Sequence, residues 1–193
     1  MKIAIIPTVR EIFKNQIELS VDKKIYTLFN RVFKKKCSYK ILNGYNDLKN
    51  EKILIMLGGN NIVNISKKKD DKYRSILDNK YYHQAQKNKI KILGICHGAQ
   101  FIGNKYGAKL IKTNYHNKKH KIKLENKLYY VNSYHNYKIV YKGKKIESLG
   151  LGIDNSIEYF KIPRLKIYGI MWHPERFKLI RKFDLKILKS ICN

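Results

Sequence analysis

Residues 91–100 read KILGICHGAQ, and this segment is the strongest indication of the fold. Its apolar first half leads to Cys96, which stands between the small residues Gly94 and Gly98. In the G-x-S-x-G nucleophile elbow, small residues at these positions let a strand turn sharply into a helix and leave the central side chain exposed above the sheet. The pattern therefore predicts a strand, a nucleophilic cysteine and a helix. Taken alone, it fits a buried core cysteine beside a helix N-terminus equally well.

Size and cysteine content limit the class of protein. A chain of 193 residues can form one domain with a substantial core. Its three cysteines, Cys37, Cys96 and Cys192, include no C-x-x-C pair, which argues against a disulfide framework and a cysteine-rich zinc site. Residues 1–7 hold too short an apolar run for a signal peptide, and no later segment approaches the length of a membrane span. We expect a cytoplasmic protein with no membrane partner.

The charge is strongly positive, at +28. Such a charge is typical of proteins that bind nucleic acids or anionic membranes. Here the lysines occur in every segment, for example at 33–36, 67–69, 118–121 and 142–145, instead of forming one basic arm. This distribution favours a solvated surface over a nucleic-acid interface. The surface field still favours an anionic small-molecule substrate.

Strands and helices alternate in the first half of the chain. Apolar patterns predict strands at 2–6, 38–42, 52–57 and 91–95 and helices at 11–34 and 70–88. Such alternation predicts an α/β protein with a parallel sheet covered on both faces and ligands near the carboxyl ends of the strands.

The second half of the sequence changes to short β-type segments between 108 and 171, followed by a helical pattern over 175–191. No linker or internal repeat divides the chain. We therefore expect a single domain over 1–193, in which the β-rich part elaborates one α/β unit. The short strands are predicted at 109–111, 121–124, 128–131, 139–141, 146–149, 158–161 and 165–171.

Candidates for a base and for oxyanion donors follow two of these strands. A thiolate that attacks an amide needs a base, a group that orients the base, and N–H donors for the oxyanion. His173 directly follows the strand at 165–171, and Glu175 could orient its imidazole. Gly58-Gly59-Asn60 follows the strand at 52–57 and could supply a backbone N–H. Taken separately, the histidine and glutamate could be surface groups at a helix cap, and the glycines an ordinary turn.

Together these motifs resemble the class I glutamine amidotransferase family over essentially the whole chain. The resemblance rests on the G-x-C-x-G-x-Q elbow at 94–100, the glycine pair at 57–60 and the W-H-P-E element at 172–175. It implies a flavodoxin-like α/β fold with a central, mostly parallel sheet flanked by helices and a small β-rich elaboration. In this family the cysteine forms a γ-glutamyl thioester, and no cofactor is needed.

The resemblance also assigns roles to individual residues. Cys96, His173 and Glu175 would form the catalytic triad, and the amides of Gly59 and His97 the oxyanion hole. Substrate-binding positions would be Gly58, Gln100, Ser133, Tyr134 and His135.

The N-S-Y-H-N wording at 132–136 and M-W-H-P-E-R at 171–176 is similar to the stand-alone γ-glutamyl hydrolase subgroup. Substrates of that subgroup include γ-glutamyl-γ-aminobutyrate and γ-glutamyl-CDP-amidate. Members often carry an arginine where this chain has His97 and an aspartate where it has Asn61, and both differences could alter how the leaving group is recognised. Taken alone, the 132–136 segment could be a strand-to-loop junction with local hydrogen bonds.

Other functions remain open at this point. The chain could be a glutaminase subunit that supplies ammonia to a separate synthase, or a basic nucleic-acid-binding module with a vestigial triad. The Cys-His-Gly sequence also resembles the PfpI-type proteases. His116 and His120 have a spacing that could suggest a metal site, but their segment reads as loop and strand and is rich in lysines. We therefore expect no metal there.

Overall fold

The computed structural model describes residues 1–114, 116 and 119–192. Its helices are α1 (Lys23–Val32), α2 (Lys69–Lys87), α3 (His97–Lys105) and α4 (Lys182–Cys192). None of the described helices is both long and apolar enough to cross a membrane. The strands are β1 (Lys2–Ile6), β2 (Thr8–Phe13), β3 (Gln16–Ser20), β4 (Ser38–Ile41), β5 (Ile53–Met56), β6 (Lys91–Ile95), β7 (Lys109–Lys112), β8 (His120–Leu124), β9 (Lys127–Val131), β10 (Tyr137–Val140), β11 (Glu147–Gly152), β12 (Ile157–Ile162) and β13 (Ile167–Ile170).

Within the described residues, the main sheet has 11 strands. The strands β4-β1-β5-β6-β13 lie side by side in this order and run parallel, as alternating strands and helices predict. β12 pairs antiparallel with β13 and continues the sheet through β11, β8 and β9, while β10 joins β12 to β7. The β-rich part of the sequence therefore extends the same sheet, and the predicted α/β fold is confirmed.

Both faces of the parallel strands are buried, as the continuous apolar run at 52–57 indicated. Every residue of β5 is buried, and alternate side chains enter opposite layers because successive residues of a strand point to opposite faces. Leu54 and Met56 belong to the apolar layer that includes residues of α2 and α3. Ile53 and Ile55 belong to the layer that includes residues of α1 and α4. The sheet is thus packed between two apolar layers. The catalytic candidates lie at the carboxyl ends of its central parallel strands.

The helix predicted over 11–34 is wrong in its first half. β2 and β3 pair there as an antiparallel hairpin, which turns at Asn15 with φ 68°. α1 starts only after Asp22, whose carboxylate accepts a hydrogen bond of 2.8 Å from the backbone N–H two residues on. The apolar residues Ile17 and Leu19 are two apart, which is the strand period. Asparagine tolerates the left-handed conformation, so the turn and cap signals were present in the sequence.

The helix predicted over 175–191 is wrong at its start. A 3-10 turn at Pro174–Arg176 is followed by an extended Phe177 with ψ 150°, and α4 begins at Lys182. The Arg181 guanidinium donates to both oxygens of Asp184, at 2.6 and 2.8 Å. Asp184 also accepts a hydrogen bond of 2.9 Å from the indole N–H of Trp172, on the core side. The hydrogen bond between Asp184 and Trp172 involves a polar side chain, and the spacing of apolar residues does not encode such a contact. Helical spacing therefore did not show that α4 begins only at Lys182.

The turn between β6 and α3 is tightly constrained. Cys96 has φ 52° and ψ −101°, a conformation that costs a non-glycine residue about 1–3 kcal/mol. A Cβ on Gly94 would lie 2.4 Å from the backbone carbon of Gly98, and a Cβ on Gly98 would lie 2.3 Å from the backbone oxygen of Met56. α3 therefore approaches β5 and β6 more closely than any side chain at these two positions permits.

We expect Gly98→Ala to lower the free energy of unfolding by at least about 2 kcal/mol, because the added methyl group displaces backbone instead of a flexible side chain. Urea denaturation followed by circular dichroism measures this change. Gly103→Ala is the matched control in the same helix, since the nearest atom to its Cβ would be 3.4 Å away. Alanine favours a helix over glycine by about 1 kcal/mol, so the control should be neutral or stabilising. Equal effects of both variants would contradict this account of the turn.

Candidate active site

The carboxyl ends of three neighbouring parallel strands meet at Cys96. β5 leads to Gly58, β6 leads to Cys96, and β13 leads to His173, and the three strands pair in register. A Cβ placed on Gly58 would lie 2.6 Å from His173 Cε1 and 3.2 Å from the Cβ of Cys96. The bare backbone of Gly58 therefore leaves room for the thiol and the imidazole to approach each other.

His173 is held on two sides. Its Nδ1 lies 2.7 Å from Glu175 Oε1, so Nε2 is the ring nitrogen left for the thiol. The amide side chain of Asn132 accepts a hydrogen bond from the His173 backbone N–H and donates one to its carbonyl, both at 2.8 Å. The Tyr134 ring packs edge-on against the imidazole, with ring centroids 5.6 Å apart. The backbone, the ring orientation and the tautomer of His173 are thus all constrained.

The electrostatic environment favours a charged His173. Burial acts to lower the pKa of His173, but the neighbouring Cys96 thiol group and the Glu175 carboxylate outweigh burial and raise the pKa to about 9. At neutral pH the imidazole can then carry a proton and stabilise a thiolate beside it. This is the charge state that a cysteine nucleophile needs.

The backbone N–H groups of His97 and Gly59 are the two predicted oxyanion donors. His97 begins α3, so its N–H is one of the four that the helix cannot pair internally. Gly59 has φ 103° and lines the same cavity as Cys96. The Thr8 hydroxyl donates a hydrogen bond of 2.7 Å to the carbonyl of Gly58. Because a peptide is planar and its C=O and N–H point in opposite directions, this bond fixes the direction of the Gly59 N–H.

The His97 side chain points away from the catalytic cavity into a buried polar network. Its Nε2 lies 2.7 Å from Asp78 and its Nδ1 lies 3.0 Å from the carbonyl of Asn60. Asp78 also accepts a hydrogen bond of 2.9 Å from Arg74. Arg74 in turn donates to the carbonyls of Pro7 and Leu57, at 2.9 and 2.6 Å. The network ties the elbow to α2 and to the ends of β1 and β5.

The charge of Asp78 is stabilised within this network. Burial acts to raise the pKa of Asp78, but Arg74 and His97 outweigh it and hold the pKa below its usual value. Sequence reasoning missed both Arg74 and Asp78. The spacing of four residues between them, typical of ion pairs on one face of a helix, was the available signal.

The cavity above Cys96 has a volume of about 120 Å³. Of the predicted substrate-binding residues, Gln100, Tyr134 and His135 line it. Gln100 is oriented by a hydrogen bond of 2.9 Å from its amide nitrogen to the carbonyl of Tyr137. Ser133 does not line the cavity, because its hydroxyl donates instead to the backbone carbonyl of His116. The full lining is Gly59, Asn60, Asn61, Cys96, Gln100, Tyr134, His135, Asn136, Tyr137, His173 and Arg176.

Besides Asn136 and Tyr137 of the cavity lining, Thr8, Asn132 and Arg176 were not predicted from the sequence as site residues. Thr8 and Asn132 form hydrogen bonds with backbone groups, and no sequence motif marks residues with this role. Arg176 is exposed, lines the cavity and packs over the Tyr134 ring at 4.9 Å. Asn60 and Asn61, which follow β5, also line the cavity. Residues 115, 117 and 118 lie outside the described residues.

A second group of polar side chains lies behind Ser133. Histidines 116, 120 and 135 pack together around Glu158, and all four residues are buried. Within the described part of the chain, ligand atoms of His116, His135 and Glu158 lie within 4.8 Å of one another, close enough to share a metal ion. The expectation of no metal considered only the residues between 116 and 120, and it did not anticipate His135 and Glu158 as neighbours.

The fold and site belong to the class of α/β proteins that carry a cysteine on a nucleophile elbow at the carboxyl edge of a parallel sheet. More particularly, the chain belongs to the class-I glutamine amidotransferase family, whose sequence profile matches residues 18–189. It is 34% identical over 139 residues to a γ-glutamyl-CDP-amidate hydrolase of Campylobacter jejuni subsp. jejuni, covering 72% of this chain and 68% of that protein.

Solved structures share the fold at low sequence identity. A Thermoplasma acidophilum protein assigned to GMP synthase has a TM-score of 0.72 and 17% identity, covering 100% of this chain and 94% of its own. A glutamine amidotransferase of Thermotoga maritima has a TM-score of 0.63 and 15% identity, covering 90% of this chain and 76% of its own. At this level of identity the two structures support the architecture of the sheet and its helices.

We expect His97→Ala to lower the free energy of unfolding by roughly 2–3 kcal/mol, because it removes buried atoms and leaves one oxygen of Asp78 without its partner. Urea denaturation measures this loss. His83→Ala is the control, since His83 is an exposed histidine on α2 and surface substitutions usually change stability by less than about 0.5 kcal/mol. If both variants are as stable as the wild type, the network does not hold the elbow.

Proposed function

We propose that this protein hydrolyses a γ-glutamyl amide bond through a γ-glutamyl thioester on Cys96 and releases glutamate. The observation that carries the proposal is the position of His173 between the Cys96 thiol and the Glu175 carboxylate, with Nδ1 2.7 Å from Glu175. Membership of the class-I glutamine amidotransferase family and the similarity to a γ-glutamyl-CDP-amidate hydrolase support the same reaction.

The first half of the reaction forms the thioester. The Cys96 thiolate attacks the γ-carbonyl carbon, and the carbonyl oxygen becomes an oxyanion that the N–H groups of Gly59 and His97 stabilise. As the tetrahedral intermediate collapses, the C–N bond breaks and His173 gives its proton to the departing nitrogen. The amine leaves, and the glutamyl group stays on sulfur as an acyl-enzyme.

The second half of the reaction uses water. His173, now neutral, accepts a proton from a water molecule as the water oxygen attacks the thioester carbonyl. The same two N–H groups stabilise the second oxyanion. Its collapse breaks the C–S bond, releases glutamate and restores the thiolate beside a protonated His173. Throughout the cycle Glu175 holds the imidazole in one orientation and stabilises its charged form.

For the substrate we propose a γ-glutamyl conjugate with an anionic leaving group, such as a γ-glutamyl nucleotide phosphoramidate. Gln100, Tyr134 and His135 line the cavity and are assigned to the glutamyl group. Arg176 stands exposed at the same cavity and is assigned to the anionic leaving group. The surface charge of +28 supports this choice, because it raises the local concentration of anions.

We expect the wild type to release glutamate from a γ-glutamyl nucleotide phosphoramidate with a higher kcat/KM than from L-glutamine or uncharged γ-glutamyl amines. Cys96→Ala should abolish release from all of them, while the control Cys192→Ala, on α4, keeps it. A coupled glutamate assay measures both. If Cys96→Ala still releases glutamate, the proposed mechanism is wrong. Turnover of glutamine alone would instead favour a glutaminase that supplies ammonia to a synthase.

We expect kcat/KM to fall above a pH of about 9, because His173 has a pKa raised to about 9 and must be protonated to release the amine. Above this pKa the loss should approach tenfold per pH unit. Glu175→Gln should move this limb to lower pH, because the variant removes a negative charge that helps to raise the pKa. Glu147→Gln is the control, since Glu147 pairs with Lys161 on the surface. An unshifted limb in Glu175→Gln would contradict the role of Glu175.

A further inference from the structure

Four buried side chains beside the catalytic cavity form a compact group, and one of them, His135, also lines the cavity. His116 and Glu158 are 0% exposed, and His120 and His135 are each 4% exposed. The ring centroid of His116 lies 4.4 Å from that of His120 and 5.0 Å from that of His135. The carboxylate of Glu158 faces two of these rings. Three imidazoles around one carboxylate are an unusual combination in a protein interior, and the proposed reaction transfers no proton through them.

The spacing of the polar atoms is close to that of a tetrahedral metal site. His116 Nδ1 lies 3.0 Å from Glu158 Oε1, and His120 Nε2 lies 3.5 Å from Glu158 Oε2. When nitrogen and oxygen ligands stand about 2.0–2.1 Å from Zn²⁺, neighbouring ligand atoms are about 3.3 Å apart. Both measured separations are near this value. One ligand atom from each of His116, His135 and Glu158 lies within 4.8 Å of the other two.

His135 is already in the form of a metal ligand. Its Nδ1 donates a hydrogen bond of 3.0 Å to the carbonyl of Tyr137, so the lone pair of the ring resides on Nε2. Among the described residues, no hydrogen-bond partner reaches that buried Nε2. A buried acceptor of this kind is costly unless a ligand occupies it.

The second ring nitrogen of His116 contacts a carboxylate, as is common for metal-bound histidines. Its Nε2, on the far side of the ring from Glu158 Oε1, lies 3.2 Å from Asp154 Oδ2. Lys138 fixes the same oxygen of Asp154 at 3.0 Å. Histidine ligands commonly donate their second N–H to a carboxylate, which sets the ring orientation and increases the basicity of the other nitrogen. This arrangement directs Nδ1 of His116 toward the centre of the group.

Glu158 supplies negative charge at the centre. Its two oxygens lie 3.0 Å from His116 Nδ1 and 3.5 Å from His120 Nε2. Carboxylate oxygens and imidazole nitrogens are both ligands that Zn²⁺ takes in proteins.

The lysines of this segment do not oppose a cation at the site. β8 alternates in burial, so His120 and Ile122 point inward while Lys121 and Lys123 point to the other face. The amine of Lys121 lies over the Tyr130 ring, 5.2 Å from its centroid. Lys119 is exposed. The four residues of the group include one carboxylate and neither lysine nor arginine, and this composition favours a cation.

We propose that His116, His120, His135 and Glu158 bind one Zn²⁺ ion in a closed, structural site. Imidazole and carboxylate ligands in a four-coordinate set suit zinc. The ion would join the segment before β8, the 132–136 segment and β12. Ser133 already donates to the carbonyl of His116, and Tyr134 and His135 line the catalytic cavity. Zinc would therefore stiffen the wall of the cavity without entering the reaction.

The test is a zinc titration of the full chain after removal of metal with a chelator, in the Cys96→Ala background so that the catalytic thiolate does not bind the ion. We expect one Zn²⁺ per chain, a raised Tm, and a four-coordinate spectrum when Co²⁺ is used instead. Wild type with alkylated Cys96 provides a second background if Cys96→Ala does not fold. Binding of no Zn²⁺ by either folded protein would overturn the proposal.

Variants of the proposed ligands distinguish Zn²⁺ binding at this site from unspecific Zn²⁺ binding elsewhere on the protein. Glu158→Gln keeps the shape of the side chain but removes the charge, and His120→Ala removes one ligand, so both should weaken Zn²⁺ binding at least 100-fold. Asp154→Asn should weaken binding about 10–100-fold, as is usual for groups that orient a ligand. His83→Ala should bind like the parent. If Glu158→Gln and His120→Ala bind one Zn²⁺ as tightly as the parent, the ion lies elsewhere and the proposal fails. These readouts do not depend on glutamate release.

Discussion

The close approach of α3 to the strands beneath it is the constraint on which the site depends. Gly94 and Gly98 have no room for a Cβ, and Cys96 between them takes a positive φ of 52°. This turn places the thiol above the sheet and the N–H of His97 beside it. Because the turn stores strain, the surrounding structure must hold it in place. The packing of β5, β6 and β13 between two apolar layers provides that support.

Buried polar contacts complete the support around the elbow. His97 joins the elbow to Asp78 and to the loop after β5, while Asn132 fixes the backbone of His173 from the β-rich part of the sheet. The two halves of the sequence therefore meet at the catalytic candidates Cys96 and His173. The extension of the sheet beyond β13 is also more than an elaboration, since it supplies the walls of the cavity.

Six of the 14 acidic residues of this basic chain are buried. Burial is costly for a carboxylate unless cations or hydrogen-bond donors surround it, and each of these carboxylates has such neighbours. Burial acts to lower the pKa of both His173 and His135, and the charged neighbours make the difference. His173, beside Cys96 and Glu175, has its pKa raised to about 9, whereas His135 has its pKa lowered to about 4. The buried acids are Glu51, Asp71, Asp78, Glu158, Glu175 and Asp184.

Local spacing encodes the alternation of strands and helices, the elbow at Cys96 and the candidates His173 and Glu175, so these features could be predicted from the sequence. The helix predicted over 11–34 was wrong over 11–20, in the hairpin of β2 and β3, where apolar residues two and four apart were interpreted as helical. The folded chain also brings together groups that are distant in the sequence, and these contacts were not predicted: Asp78 with His97, Asn132 with His173, and Glu158 with three histidines. Contacts across strands depend on sheet order and register, and neither the spacing of apolar residues nor a short motif specifies them.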